Sequence, residues 1–98
     1  MDERFQNRSI RRQILHVLHD MAAGAWLNLP TLREILAIRG DSLTLLDVRR
    51  HCYYLADKEI ACVELEEIEE GGQNMYRYRV TARGTRVVEG EEKVPGIG

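Results

Sequence analysis

Long apolar runs are missing from this 98-residue chain. No stretch approaches the roughly 20 apolar residues that a membrane-spanning helix needs, so no membrane partner is expected. Residues 1–9 are charged and lack an apolar centre, which argues against a secretory signal and for a cytoplasmic protein. Cysteine is scarce as well. Cys52 and Cys62 are the only two, too few for a disulfide scaffold and suited to a reducing compartment. They form no close pair, and no metal-type spacing of His and Cys occurs, so neither a metal nor another cofactor is expected. His16 and His19 stand one helical turn apart, but no nucleophile stands with them to complete a catalytic set with an orienting acid. A glycine-rich phosphate loop is also lacking, since Gly71-Gly72 reads as a hairpin tip. Together these absences argue against an enzyme. Internal repeats and low-complexity tracts are missing too. A formal charge of −2 neither favours nor excludes a polyanion, because local distribution matters more than the sum.

What is present is 44% hydrophobic residues, enough for a small core in one domain. Residues 1–8 are polar and expected to fray. From Ser9, a good N-cap residue, Ile10, Ile14, Val17, Leu18 and Met21 recur on one helical face, with Arg12, His16 and His19 opposite. Gly24 ends this helix. Leu15 falls off the stripe and is a candidate for a further contact. The short stretch "AWLNLP" has extended character, and Pro30 suits the first turn of a second helix. Leu32, Ile35 and Leu36 form its inner face, and Arg39-Gly40 its end. A third helix follows "GDS", with Thr44 and Asp47 as a capping pair and Ser42 as a competing cap. Its predicted buried stripe is Leu45, Val48, Cys52 and Leu55. Leu46, Arg50, Tyr53 and Asp57 lie roughly opposite.

The period then changes from helix to strand. Taking Gly71-Gly72 as a two-residue turn pairs Glu70 with Gln73, Ile68 with Met75, Glu66 with Arg77 and Glu64 with Arg79. The other face pairs Leu65 with Tyr78, Val63 with Val80 and Glu67 with Tyr76. One face is mostly apolar and the other carries two opposite-charge pairs, an arrangement that a one-residue slip would destroy. After Val80, Thr81 can cap a short helix through Thr85, Val87 and Val88, although Gly84 requires tertiary support there. Residues 91–98 read as a flexible tail.

This order resembles the winged helix-turn-helix superfamily over residues 9–90. "VRRHCYYLADKEIACVE" (48–64) is similar to that family's recognition helix running into its wing. "YRVTARG" is similar to the Tyr-x-Leu-Thr-x-x-Gly run that closes the wing in many bacterial regulators. The size and the "VPGIG" ending also look similar to small winged-helix proteins of Mu-like prophages, which implies a bacterial or phage origin. Two features depart from the pattern. Glu59 stands where a glycine is common, and the first wing strand carries Glu64, Glu66, Glu67, Glu69 and Glu70 where basic residues are usual.

The resemblance implies an α+β winged helix with a three-helix core, a hairpin wing and a short last helix. It also implies double-stranded DNA binding in transcriptional regulation. The third helix would enter the major groove, presenting Thr44, Leu46, Asp47, Arg50 and Tyr53. Arg50 would bond guanine, while Arg49, on the flank, would meet a phosphate together with the basic first segment (Arg4, Arg8, Arg11, Arg12). A single module this small implies a homodimer, for which Leu15, Val87 and Val88 are candidate contacts. The acidic wing supports a different expectation, a protein-interaction domain with a basic partner, and Ile68 and Met75 near the tip are either its contacts or ordinary surface.

Overall fold

The computed structural model describes residues 3–97. It is an α+β arrangement of four helices and a three-stranded antiparallel sheet: α1 (Glu3–Asp20), β1 (Leu27–Asn28), α2 (Leu29–Ile38), α3 (Leu45–Ala56), β2 (Val63–Glu70), β3 (Gln73–Val80) and α4 (Ala82–Val88). The sheet order is β1-β3-β2.

Helix α1 starts six residues before the expected Ser9 cap, so the supposed frayed segment is helical from Glu3. Glu, Gln and Arg are good helix formers, and once a helix is nucleated each added residue gains a bond at little cost. Met1 and Asp2 lie outside the described residues. Ile14, Val17 and Leu18 are buried as their spacing predicts, but Met21 is 59% exposed because the helix has already ended. Leu15 corrects a second expectation. It is fully buried in the core and so cannot meet a partner.

Asn28 caps α2, its side-chain oxygen accepting from Thr31 N–H at 2.9 Å, with Pro30 in the first turn. Thr44, not Ser42, caps α3 through Asp47 N–H at 3.1 Å. Val48, Cys52 and Leu55 are buried, whereas Leu45 is 40% exposed instead of continuing the stripe. It sits in the first turn of α3, beside the start of α2 rather than beneath it. The turn after α3 manages without glycine. The Asp57 carboxylate accepts from Glu59 N–H at 2.9 Å, and the left-handed residue is Ala61, with φ 51°.

The hairpin has the register that its cross-strand chemistry dictates, from Val63 opposite Val80 to Glu70 opposite Gln73. Gly71 and Gly72 both take positive φ (59° and 80°), matching the primed turn that follows the right-handed strand twist. Arg77 meets both Glu66 oxygens at 3.0 Å, and Arg79 meets Glu64 at 2.7 Å. Both guanidinium groups also stack on Trp26, at 4.7 and 4.4 Å from its ring centre.

Thr81 joins strand to helix with three bonds. Its N–H donates to Cys62 O, its hydroxyl donates to Ala61 O at 2.7 Å, and the same oxygen accepts from Gly84 N–H at 3.1 Å. Gly84 is then required by proximity, since a Cβ there would run into the Cys62 carbonyl oxygen. The described part of the segment expected as a flexible tail, residues 91–97, is also anchored, while Gly98 lies outside the described residues. Val94 is buried, Tyr54 O–H donates to Pro95 O at 3.0 Å, and Arg11 Nη1 donates to Gly96 O at 3.1 Å. Glu92 receives Arg83 and Arg86 at 2.5 and 3.0 Å. Hydrogen bonds and two apolar contacts, buried Val94 and partly buried Ile97, hold a segment whose composition alone suggested none.

Candidate functional site

Helix α3 is fixed by its buried residues Val48, Cys52 and Leu55, which leaves the opposite side facing out. Leu46 (51% exposed), Arg50 and Tyr53 lie there together. Arg50 makes no hydrogen bond or ion pair with the described residues, so its planar fork of donors is open to a ligand. Thr44 is exposed at the helix start, but its hydroxyl oxygen is engaged in the cap. Asp47 is half-buried, nearer to the flank.

Arg49 has a more constrained setting than a flank position suggests. Its guanidinium lies 4.3 Å from the Tyr76 ring centre on β3 and 5.4 Å from that of Tyr53, and donates to Tyr53 Oη at 3.4 Å. That hydrogen bond raises its pKa above the ordinary guanidinium value. This stack ties α3 to the hairpin. Arg49 Nε is buried without a partner among the described residues.

The basic first segment is not gathered on this face. Arg11 lies 3.6 Å over the Tyr54 ring and donates to His51 Nδ1 at 3.3 Å, on the side of α3 that packs against α1. Arg8 and Arg12 border a cavity of about 600 Å³ between α1, α4 and the chain end. The Arg4 side chain lies outside the described residues. Arg11 is therefore structural, clasping the C-terminal segment. Burial, followed by the Arg11 charge, lowers the His51 pKa and favours the neutral ring that accepts this bond.

The hairpin keeps its acidic character where it is most exposed. Glu64 and Glu66 are neutralised by Arg79 and Arg77, and Glu67 accepts from Tyr76 O–H at 3.3 Å. Glu69 and Glu70, at the tip, form no ion pair with the described residues. Between tip and helices runs a groove of about 380 Å³, bounded by Leu29 and Pro30 of α2, Leu45, Leu46 and Arg49 of α3, and residues 73–76 of β3. Met75 in its wall is 42% exposed.

No group of side chains that could hold a metal ion accompanies this surface among the described residues. His16 and His19 both turn to Asp20, at 3.7 and 2.7 Å, and no three His, Cys, Asp or Glu residues converge as a metal ion requires. The His19 hydrogen bond holds the Asp20 carboxyl below its ordinary value. Both cysteines are buried and free, and burial pushes each thiol's pKa up. No helix among the described residues is long and apolar enough to cross a membrane.

The expected residues Leu46, Arg50 and Tyr53 are thus brought together, with Thr44 and Arg49 at the margins. Sequence reasoning missed the groove, the Arg49–Tyr76 stack and Trp26. Each joins residues far apart in the chain, and only the two adjacent exposed leucines at the start of α3 gave a local signal. A scan against models of known protein families finds none that matches, and no curated protein matches this chain.

Proposed function

We propose that the chain is a winged helix-turn-helix protein that binds double-stranded DNA as a homodimer and acts in transcriptional regulation in the cytoplasm. Helix α3 would lie in the major groove. The observation that carries this reading is the outer face of α3, where Arg50 projects with no partner among the described residues from a helix held by its buried side. A free guanidinium in that position suits the two acceptors of guanine, Leu46 and Tyr53 supply apolar contact beside it, and Arg49 offers a fixed positive charge for a phosphate. The unpaired Glu69 and Glu70 keep the hairpin tip away from the duplex. One such helix makes a small interface, so two copies on two half-sites supply the rest. With Leu15 buried, the half-buried Val87 and Val88 on α4 remain as dimer contacts.

The test is duplex selection from a random pool followed by a salt series. Arg50→Ala is expected to cost about 1–3 kcal/mol on the selected site. Arg49→Ala is expected to reduce the salt slope by about one unit across all sequences. Folded protein without salt-sensitive affinity for any duplex refutes the reading. A second reading, a protein-interaction domain for a basic partner, is favoured by the unpaired tip glutamates beside an apolar groove.

A further inference from the structure

The groove between α2, α3 and the hairpin is bordered by four consecutive residues of β3, 73–76. A surface touched by every residue of a strand segment, not by alternate ones, runs along the strand's edge. The pairing explains why that edge is open. β3 has β2 along its whole length on one side, but on the other β1 pairs only with Tyr78 and Arg77. At Leu29 the chain turns into α2, where Pro30 has no N–H to offer. Beyond Arg77, β3 has no neighbour on this side among the described residues.

The register also tells which backbone groups are left over. A two-residue turn makes Glu70 and Gln73 a hydrogen-bonded pair, and the alternation continues with Met75 bonded to Ile68. The intervening residues face the other way, so Asn74 turns its N–H and C=O, and Tyr76 its N–H, toward the groove. Unpaired backbone groups beside an apolar trough are what an added strand requires. Leu29, Leu45, Leu46 and Met75 would receive its apolar side chains. Charge then selects the occupant. Glu69 lies across β3 on the face of Asn74 and Glu70 follows at the tip, so the tip end of the groove is acidic, whereas Arg49 is the charged side chain lining it on the α3 side.

We propose that the free edge of β3 is a docking site for an extended segment of a partner protein, with apolar side chains at alternate positions flanked by Lys or Arg. The segment adds as a fourth strand beside Asn74 and Tyr76 and lays its apolar side chains in the groove. This deepens the protein-interaction reading and stands without DNA binding. Because Leu46 and Arg49 belong to both surfaces, a docked segment also covers part of the α3 face.

The experiment selects peptides from a random display library against the full chain and maps them by amide hydrogen exchange. Selected peptides are expected to alternate apolar residues and to carry Lys or Arg beside them. They should protect the Asn74 and Tyr76 amides while leaving Gln73 and Met75, already bonded to β2, unchanged. Leu46→Asp, at an exposed position, should weaken binding by about tenfold or more. Asn74→Pro should do the same while the hairpin stays folded, since the N–H it removes serves no strand among the described residues. Peptides that are lost on Glu69→Gln with Glu70→Gln, yet bind both other variants normally, overturn the edge proposal and leave the protein-interaction reading standing. Recovery of no peptide overturns both. Concentration-dependent protection of Asn74 and Tyr76 in the chain alone also overturns it, because the occupant is then a second copy.

Discussion

Gly84→Ala sets helix propensity against packing, and the structure decides the sign. Within a helix the change should stabilise by about 1 kcal/mol, because glycine gives up more backbone freedom than alanine. In α4 the new Cβ meets the Cys62 carbonyl oxygen, which is backbone, and comes within 2.7 Å of Val80 Cγ2. A flexible side chain could step aside; a carbonyl at the start of β2 cannot. Relief requires moving α4 away from the sheet, which strains the Thr81 N–H bond to Cys62 O at 3.1 Å and the Thr81 hydroxyl bond to Ala61 O. Overpacking of this kind costs about 1–3 kcal/mol, and a disturbed buried hydrogen bond adds about 1 more. Subtracting the propensity gain leaves a net loss of about 1–3 kcal/mol, which in a domain of this size lowers Tm by roughly 10 °C. Urea denaturation followed by circular dichroism measures it, with unchanged slope confirming the same folded state. Equal or higher stability in the variant refutes the close approach of α4 to β2.

Ala61→Gly should act in the opposite direction. Ala61 has φ 51°, so glycine relieves a left-handed alanine and a gain of about 0.5–1 kcal/mol in urea stability is expected. Val94→Ala should cost about 1.5 kcal/mol, two buried methyl groups, and should raise amide exchange across residues 94–97; no effect on either would mean that the end is not docked. His51 has a lowered folded pKa, so stability should fall as the pH drops below about 6.5, where the unfolded ring takes up a proton that the folded ring resists. His51→Gln should flatten that fall between pH 7 and 5, read from urea midpoints, whereas an unchanged pH profile would show that the ring is not the cause.

The sequence by itself determined the elements whose causes are local. The hairpin register was legible because charge pairs and apolar pairs separate cleanly in one alignment and in no neighbouring one, and Gly71-Gly72 supplies the turn. The caps at Thr44 and Thr81 and the place of Pro30 in the first turn of α2 follow from the same short-range chemistry. On the candidate site, the outer position of Arg50 could be read from the period of α3 alone. Tertiary structure decided what depends on distant partners. Leu15 is buried although it lies off the stripe, because neighbours cover more of α1 than a single face. Residues 94–97 are held by Tyr54 and Arg11, some forty and eighty-five residues earlier, and no local property of a short Val-Pro-Gly segment encodes such a clasp. Arg49 became part of a stack because β3 brings Tyr76 to it. The groove exists because β1 stops after two residues, where Asn28 caps α2 and the chain turns into a helix. Local periodicity specifies which side of an element is apolar, but only the docking of elements specifies which apolar and charged groups remain uncovered, and function resides in those.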